Sequence, residues 1–308
     1  MTLCLRIISA VIGLSTCLSV YAQIPQTCAQ SLVSLQVLGS GGPELDDGRA
    51  SSSYLIWHQG KAKLLVDVGP GSSINFGQEK AQFKDLEAIL LSHLHVDHGA
   101  DLPAFAKGAY FSARQHDLKV FGTAANPLMP ATSDYVERLI GDTGAFAYLS
   151  DFLTPGSQAA FKIVPIDVPL LKNKISTFKL SEAITAQSIV VHHGPVAAIA
   201  WRVNIAGCSL SFSGDMSNQY QSLAALAKDS DLLIMHNAIP EEAKGVARLL
   251  HMPPSEIGKI SQQAEAKKVL LSHFMQRTNN RQKESLATIA EHYAGEVLLA
   301  EDLMNVEL

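Results

Sequence analysis

The 308-residue chain is short of charge, of cysteine and of basic runs, and each shortage narrows what it does. Charged residues make up 17%, and 24 Lys and Arg stand against 29 Asp and Glu for a formal net charge of −5. A protein that grips nucleic acid draws most of its affinity from phosphates neutralised by Lys and Arg, so this balance argues for no nucleic-acid partner. No short repeat or low-complexity tract interrupts the chain, and nothing in it marks a second domain. The apolar run from Ile7 to Val20 is short for a bilayer span.

That run is better explained as part of a leader. Residues 1–22 carry a single charge, Arg6, and close on Val20-Tyr21-Ala22 before Gln23, the pattern of a secretory signal peptide with a small-residue cleavage site. Its removal leaves residues 23–308 as one domain, periplasmic or secreted, with no membrane contact and a net charge of −6 (−5 less the one charge of Arg6). Four cysteines reduce to two, Cys28 and Cys208. An oxidising compartment permits a bridge between them, but Cys208 lies beside an apolar strand and is read as a small buried hydrophobe. Hydrophobic residues reach 47%, which fits thickly buried sheets.

The chemistry concentrates in Ser92-His93-Leu94-His95-Val96-Asp97-His98-Gly99. Three imidazoles and a carboxylate follow the apolar strand 88–91, on a loop that leads into a helix expected over 100–114. Imidazole nitrogen and carboxylate oxygen are preferred zinc ligands. His93 and His95 can point one way while Asp97 and His98 serve a neighbouring ion. Further strands also end in ligand-type residues: Leu64-Leu65-Val66 in Asp67, Ile189-Val190-Val191 in His192-His193, Ser209-Leu210-Ser211-Phe212-Ser213 in Gly214-Asp215, and Val269-Leu270-Leu271 in Ser272-His273. Adjacent strand residues face opposite ways, so only one of His192 and His193 can reach a metal, and His193 is favoured. Other strands are expected over 32–38, 53–57, 161–167, 176–180, 197–205 and 231–235, with helices starting near Asn218 and covering 254–266 and 281–293.

His-x-His-x-Asp-His with this order of strand-end residues resembles the metallo-beta-lactamase superfamily. The resemblance implies an α/β fold, a four-layer αββα sandwich, around two Zn2+ ions, with iron or manganese equally suited to the donors. It assigns His93, His95 and His193 to one ion, Asp97, His98 and His273 to the other, and Asp215 to both. Asp67 would stand behind a ligating histidine and fix its tautomer. Leu38-Gly39-Ser40-Gly41-Gly42-Pro43, the segment Ala200-Trp201-Arg202-Val203 and Leu271-Ser272-His273-Phe274 resemble the ribonuclease Z and arylsulfatase-like group. In that group the position of His251 helps protonate the leaving group or bind nonbridging oxygens, while His236-Asn237 stands where relatives carry His-Glu near the site.

Asp97 is expected to be catalytic as well as ligating, with a hydroxide shared by the ions as nucleophile. The tRNA-processing members carry a protruding arm between the third-motif histidine and the shared aspartate, whereas this chain has a short hairpin between His193 and Asp215. The expectation is therefore an exported binuclear hydrolase of small sulfate esters, arylsulfatase-like, acting on an anionic small molecule, with a homodimer left open. Alternatives are a phosphodiesterase of small diesters or cyclic nucleotides, a lactonase or thioesterase, and a metal-binding protein without turnover.

Overall fold

The computed structural model describes residues 28–308, so the leader expected over 1–22 lies outside the described residues. Two seven-stranded sheets face each other. The first begins with an antiparallel meander, Val33–Gly39 (β1), Ser53–His58 (β2) and Lys61–Val68 (β3). Gln59 and Gly60, both at positive φ, turn β2 into β3 as a two-residue hairpin that matches the strands' twist. Ala88–Leu90 (β4), Leu118–Thr123 (β5) and Ile163–Val168 (β6) then add in parallel.

The second sheet repeats the plan. Ser176–Lys179 (β7), Ile184–His193 (β8), Val196–Ile205 (β9) and Cys208–Phe212 (β10) are antiparallel, and Leu232–His236 (β11), Lys268–Ser272 (β12) and Glu296–Leu299 (β13) continue in parallel. The last strand, Asn305–Glu307 (β14), returns to pair with β1.

Strand periodicity explains the layering. Leu64 and Val66 of β3 and Ala88 and Leu90 of β4 join the cluster between the sheets. Leu65, Ile89 and Leu91, one residue out of step, join the cluster under the outer helices, and Val68 joins them because Asp67, at positive φ, breaks the alternation before it. Those helices include Ser72–Gln78 (α1), Val96–Gly99 (α2), Leu102–Ala109 (α3) and Thr132–Ile140 (α4). On the other flank lie Leu223–Leu226 (α5), Val246–Leu250 (α6), Pro254–Gln263 (α7), Gln276–Asn279 (α8) and Gln282–Ala290 (α9). The result is the four-layer αββα sandwich of the metallo-beta-lactamase type.

Three sequence expectations need correction. The helix drawn over 100–114 is only α3; it ends at Ala109, whose O accepts from the Ser112 hydroxyl at 2.9 Å as the chain turns out. The helix placed at Asn218 begins at Leu223, because Asn218 and Gln221 sit at positive φ in the turn before it. Cys208 is not a lone hydrophobe: it is bonded to Cys28, with Cα atoms 4.5 Å apart. Cys208 is buried at the head of β10, as its apolar setting suggested, and its partner Cys28 is partly buried against the same core. The bond closes a separation of 180 residues, which the chain-entropy account makes worth about 5 kcal/mol.

Candidate metal centre

Most candidate side chains leave a strand near its carboxyl end, where loops of an α/β sheet gather, while Asp97 and His98 lie in α2 and His251 caps α6. Asp67 belongs to β3, His93 follows β4, His193 and His236 close β8 and β11, and Asp215 and His273 follow β10 and β12. The fold brings these ends together between the two sheets. Ligand-type atoms of His93, His95, His193 and Asp215 lie within 4.8 Å of one another, and so do those of His98, Asp215, His236 and His273. Asp215 belongs to both clusters.

Distances define the geometry around that carboxylate. Its Oδ2 stands 3.9 Å from His93 Nε2 and 3.7 Å from the Nε2 atoms of both His98 and His193. Asp97 lies beside the second cluster, with Oδ2 3.5 Å from His98 Nε2 and 3.2 Å from His273 Nε2. His236 is drawn further in than its expected place behind the ligands, with Nδ1 2.7 Å from Asp215 Oδ1. His251, at the end of α6, places Nδ1 3.9 Å from Asp215 Oδ2.

The pair His192-His193 resolves cleanly. His193 Nδ1 donates to Leu250 O at 2.8 Å, which leaves Nε2 free toward the cluster. His192 faces the other side of β8, where Nδ1 meets Ser217 Oγ at 2.7 Å and its ring lies against Tyr220. Asp67 also has its expected place, accepting from Ser92 N at 2.6 Å, Ser92 Oγ at 2.7 Å and His98 Nδ1 at 2.8 Å. Asp67 and His273 both occupy the left-handed region, at φ 56° and 55°. Non-glycine residues hold that conformation at a cost, and such strain gathers at functional sites.

Two features of the cradle fit a divalent cation. Nε2 of His93 and of His98 are buried without a hydrogen-bond partner, a costly arrangement unless something satisfies them. Buried carboxylates also outweigh the buried positive charge. Burial would raise the Asp215 carboxyl, but His273, His251 and His98 hold it well below the carboxylate range. Burial would push His98 down, yet Asp97, Asp67 and Asp215 raise it well above the ordinary imidazole value. Burial takes His251 down to about 3 and His236 to about 4. Neutral imidazole and ionised carboxylate are the forms in which these groups bind metal, so an ion held here would take the place of the protons that the carboxylates favour on His98 and His273.

Sequence reasoning passed over Tyr54 and underused Gly42. Tyr54 is buried in β2 with its hydroxyl 3.2 Å from His236 Nε2. A tyrosine inside an apolar strand must place its hydroxyl on a polar partner, which was the available signal. A Cβ at Gly42 would stand 2.8 Å from His273 Cε1, so this loop is moulded to the imidazole.

Comparison with known proteins agrees with this geometry. The family model described as Beta-lactamase superfamily domain matches residues 63–274. Ribonuclease Z of Thermobifida fusca is 24% identical over 88% of this chain and 93% of its own length, and that of Methanosarcina acetivorans 23% identical over 90% and 98%. Among solved structures, the metallo-beta-lactamase fold protein YhfI of Bacillus subtilis superposes with a TM-score of 0.70 at 21% identity, over 90% of this chain and 99% of that one. The short form of human tRNase Z gives 0.68 at 18%, over 89% and 98%. Zn(2+)-bound PqqB from Methylobacterium extorquens gives 0.63 at 14%, over 89% and 100%.

These relatives correct two expectations. Proteins named for cutting RNA overturn the reading as a hydrolase of sulfate esters, because sulfate and phosphate esters present similar tetrahedral anions and the donor set does not separate them. They also overturn the exclusion of nucleic acid, which rested on net charge; a sum over the whole chain does not locate individual cations such as Arg277, whose Nε donates to Ala238 O near the site. With a divalent-metal cradle in this fold and ribonuclease Z relatives along nearly its whole length, the chain belongs to the beta-lactamase superfamily, on its ribonuclease Z-like side, and is a metal-dependent hydrolase of ester bonds.

Proposed function

We propose that the protein is a binuclear metal-dependent phosphodiesterase. The observation that carries this reading is the position of Asp215 between the two imidazole clusters. His93, His95 and His193 would hold one ion, Asp97, His98 and His273 the other, and Asp215 would touch both, with zinc the expected metal. Bound there, a pair of divalent ions supplies Lewis acidity toward phosphoryl oxygens and lowers the pKa of water.

The chain's own groups do the rest. Asp67 keeps His98 Nε2 turned inward, and Leu250 O does the same for His193. Asp97, beside His98 and His273, is placed to orient a water or accept its proton. His251, kept neutral by burial, faces the cluster with an unpartnered Nδ1, where it can meet a nonbridging oxygen or hydrogen-bond the leaving one. Asn237 follows His236 with its side-chain amide buried and unpartnered, so no carboxylate at that position orients His251.

Relatives named ribonuclease Z put RNA first among substrates. Between His193 and Asp215 the chain holds β9, a two-residue turn and β10, a spare surface that also suits small diesters. The leader pattern of residues 1–22 and the bond between Cys28 and Cys208 support export to an oxidising compartment. The test is turnover by the zinc-replete protein of RNA with a 3′ extension, a 2′,3′-cyclic nucleotide, a bis-aryl phosphate and an aryl sulfate. Hydrolysis of one or more phosphodiesters is expected. Turnover of the sulfate alone, or of none, would overturn the proposal.

A further inference from the structure

We infer that Tyr54 is a positioning residue: its hydroxyl, acting through His236, holds the shared carboxylate of Asp215 in the orientation that serves both clusters. The inference rests on reading the two clusters as the metal site.

The two oxygens of Asp215 have different surroundings. Oδ2 looks onto nitrogens of His93, His98, His193 and His251 at 3.7 to 3.9 Å. Oδ1 is held by His236 Nδ1 at 2.7 Å and also stands 3.3 Å from His273 Nε2. A carboxylate turns broadly about its terminal torsion, so a fixed donor on one oxygen decides where the other points. His236 is that donor only if its ring proton sits on Nδ1.

A neutral imidazole has one such proton, and the partner of the other nitrogen selects the tautomer. At His236 that partner is Tyr54 Oη, 3.2 Å from Nε2. When the hydroxyl donates to Nε2, Nδ1 must carry the proton and donate to Asp215. Tyr54 is itself fixed. It sits 1% exposed in β2, and its ring lies 5.6 Å from that of Phe212, which ends the strand running into Asp215. The His236 backbone N donates to Ser213 Oγ at 3.2 Å, tying the ring to the same turn. The chain of contacts thus begins on one sheet and ends on the carboxylate supplied by the other. Had His236 been a ligand through Nδ1, its proton would sit on Nε2 and the Tyr54 oxygen would have to accept.

Zinc affinity measured by chelator competition tests this without reference to any substrate, so a failure of the phosphodiester panel leaves the result readable. Tyr54→Phe removes one oxygen and keeps the ring. It should weaken zinc binding roughly 10-fold, at the low end of what outer partners of metal ligands contribute. The metal-free melting temperature should change little. His236→Ala should lose at least as much, and adding Tyr54→Phe to it should cost nothing further. His236→Asn can still donate to Asp215 from its amide, so it should restore most of the affinity and be insensitive to Tyr54→Phe. Nitrogen-15 spectra of the zinc-loaded protein should show His236 protonated at Nδ1. Unchanged affinity in Tyr54→Phe, equal losses in His236→Asn and His236→Ala, or a proton on Nε2 would each overturn the inference. No zinc bound by the unsubstituted protein would overturn it together with the reading it rests on.

Discussion

His95 and His273 mark the difference between the clusters that share Asp215: His95 is partly exposed on the outer side of its loop, while His273 is enclosed at 1% exposure. Their backing differs in the same sense. In the first cluster His93 Nδ1 meets the Ser92 hydroxyl at 3.1 Å and His193 Nδ1 a backbone carbonyl, both neutral groups. In the second, His98 Nδ1 is braced by the Asp67 carboxylate, His273 is walled by Gly42, and His236 is tied to Tyr54. Charged partners in a low-dielectric setting fix ligands more firmly than neutral ones. The second cluster is therefore the better organised and should hold its ion more tightly, leaving the first, nearer solvent, as the side from which substrate enters.

The harshest way to break this contrast is to remove what the clusters share. On the proposed binuclear reading, Asp215→Ala should take the bound zinc from two ions to fewer than one and lower turnover by about a thousandfold or more, since both ions would act on the same ester. Elemental analysis after dialysis, run beside the rate assay, checks it. Retention of one tightly bound ion would mean that Asp215 serves a single cluster.

Asp67→Asn should act more on the second cluster than on the first, which Asp67 reaches only through the Ser92 hydroxyl that meets His93 Nδ1. His98 Nδ1 loses its anionic partner directly, so the tighter ion should weaken by roughly 10- to 100-fold while the other weakens less. A two-step zinc titration reads the ions separately. Equal weakening of both would erase the distinction between charged and neutral backing.

How much of this was legible in the sequence follows from what each residue's signal depends on. The cradle 93–98 and the strand ends at Asp67, His193, Asp215 and His273 were readable, because an apolar run followed by a ligand-type residue is a local pattern. The partners behind them were not. Tyr54 and His236 stand 182 residues apart in the chain, and only the facing of two sheets brings them within hydrogen-bonding distance. The Cys28–Cys208 bond was missed for the same reason: burial of Cys208 was readable, but its neighbour across 180 residues was not. Strands β5, β13 and β14 were also left out; the last two are edge strands of four and three residues, too short to show a period. The substrate class was misjudged because it was argued from net charge and from a missing arm, neither of which describes the site.

The smallest expected effect comes from the wall of the second cluster. A methyl group at Gly42 would meet His273 Cε1 at 2.8 Å, its Nδ1 at 3.2 Å and Met275 Cγ at 3.3 Å. Met275 is a flexible side chain and can yield, but His273 cannot retreat far, since Asp97 and Asp215 stand 3.2 and 3.3 Å from its Nε2. Overpacking of this kind costs about 1–3 kcal/mol. Gly42→Ala should therefore lower the melting temperature by a few degrees, on the order of what such a cost produces, and weaken the tighter ion several-fold. Gly77→Ala is the control, because nothing lies within 4 Å of a Cβ at that helical position in α1. It should leave both ions alone and stabilise the helix by up to about 1 kcal/mol. If Gly42→Ala left the zinc titration as unchanged as Gly77→Ala, the enclosure of His273 would not be what distinguishes the second cluster, and the contrast with the partly exposed His95 would rest on Asp67 alone.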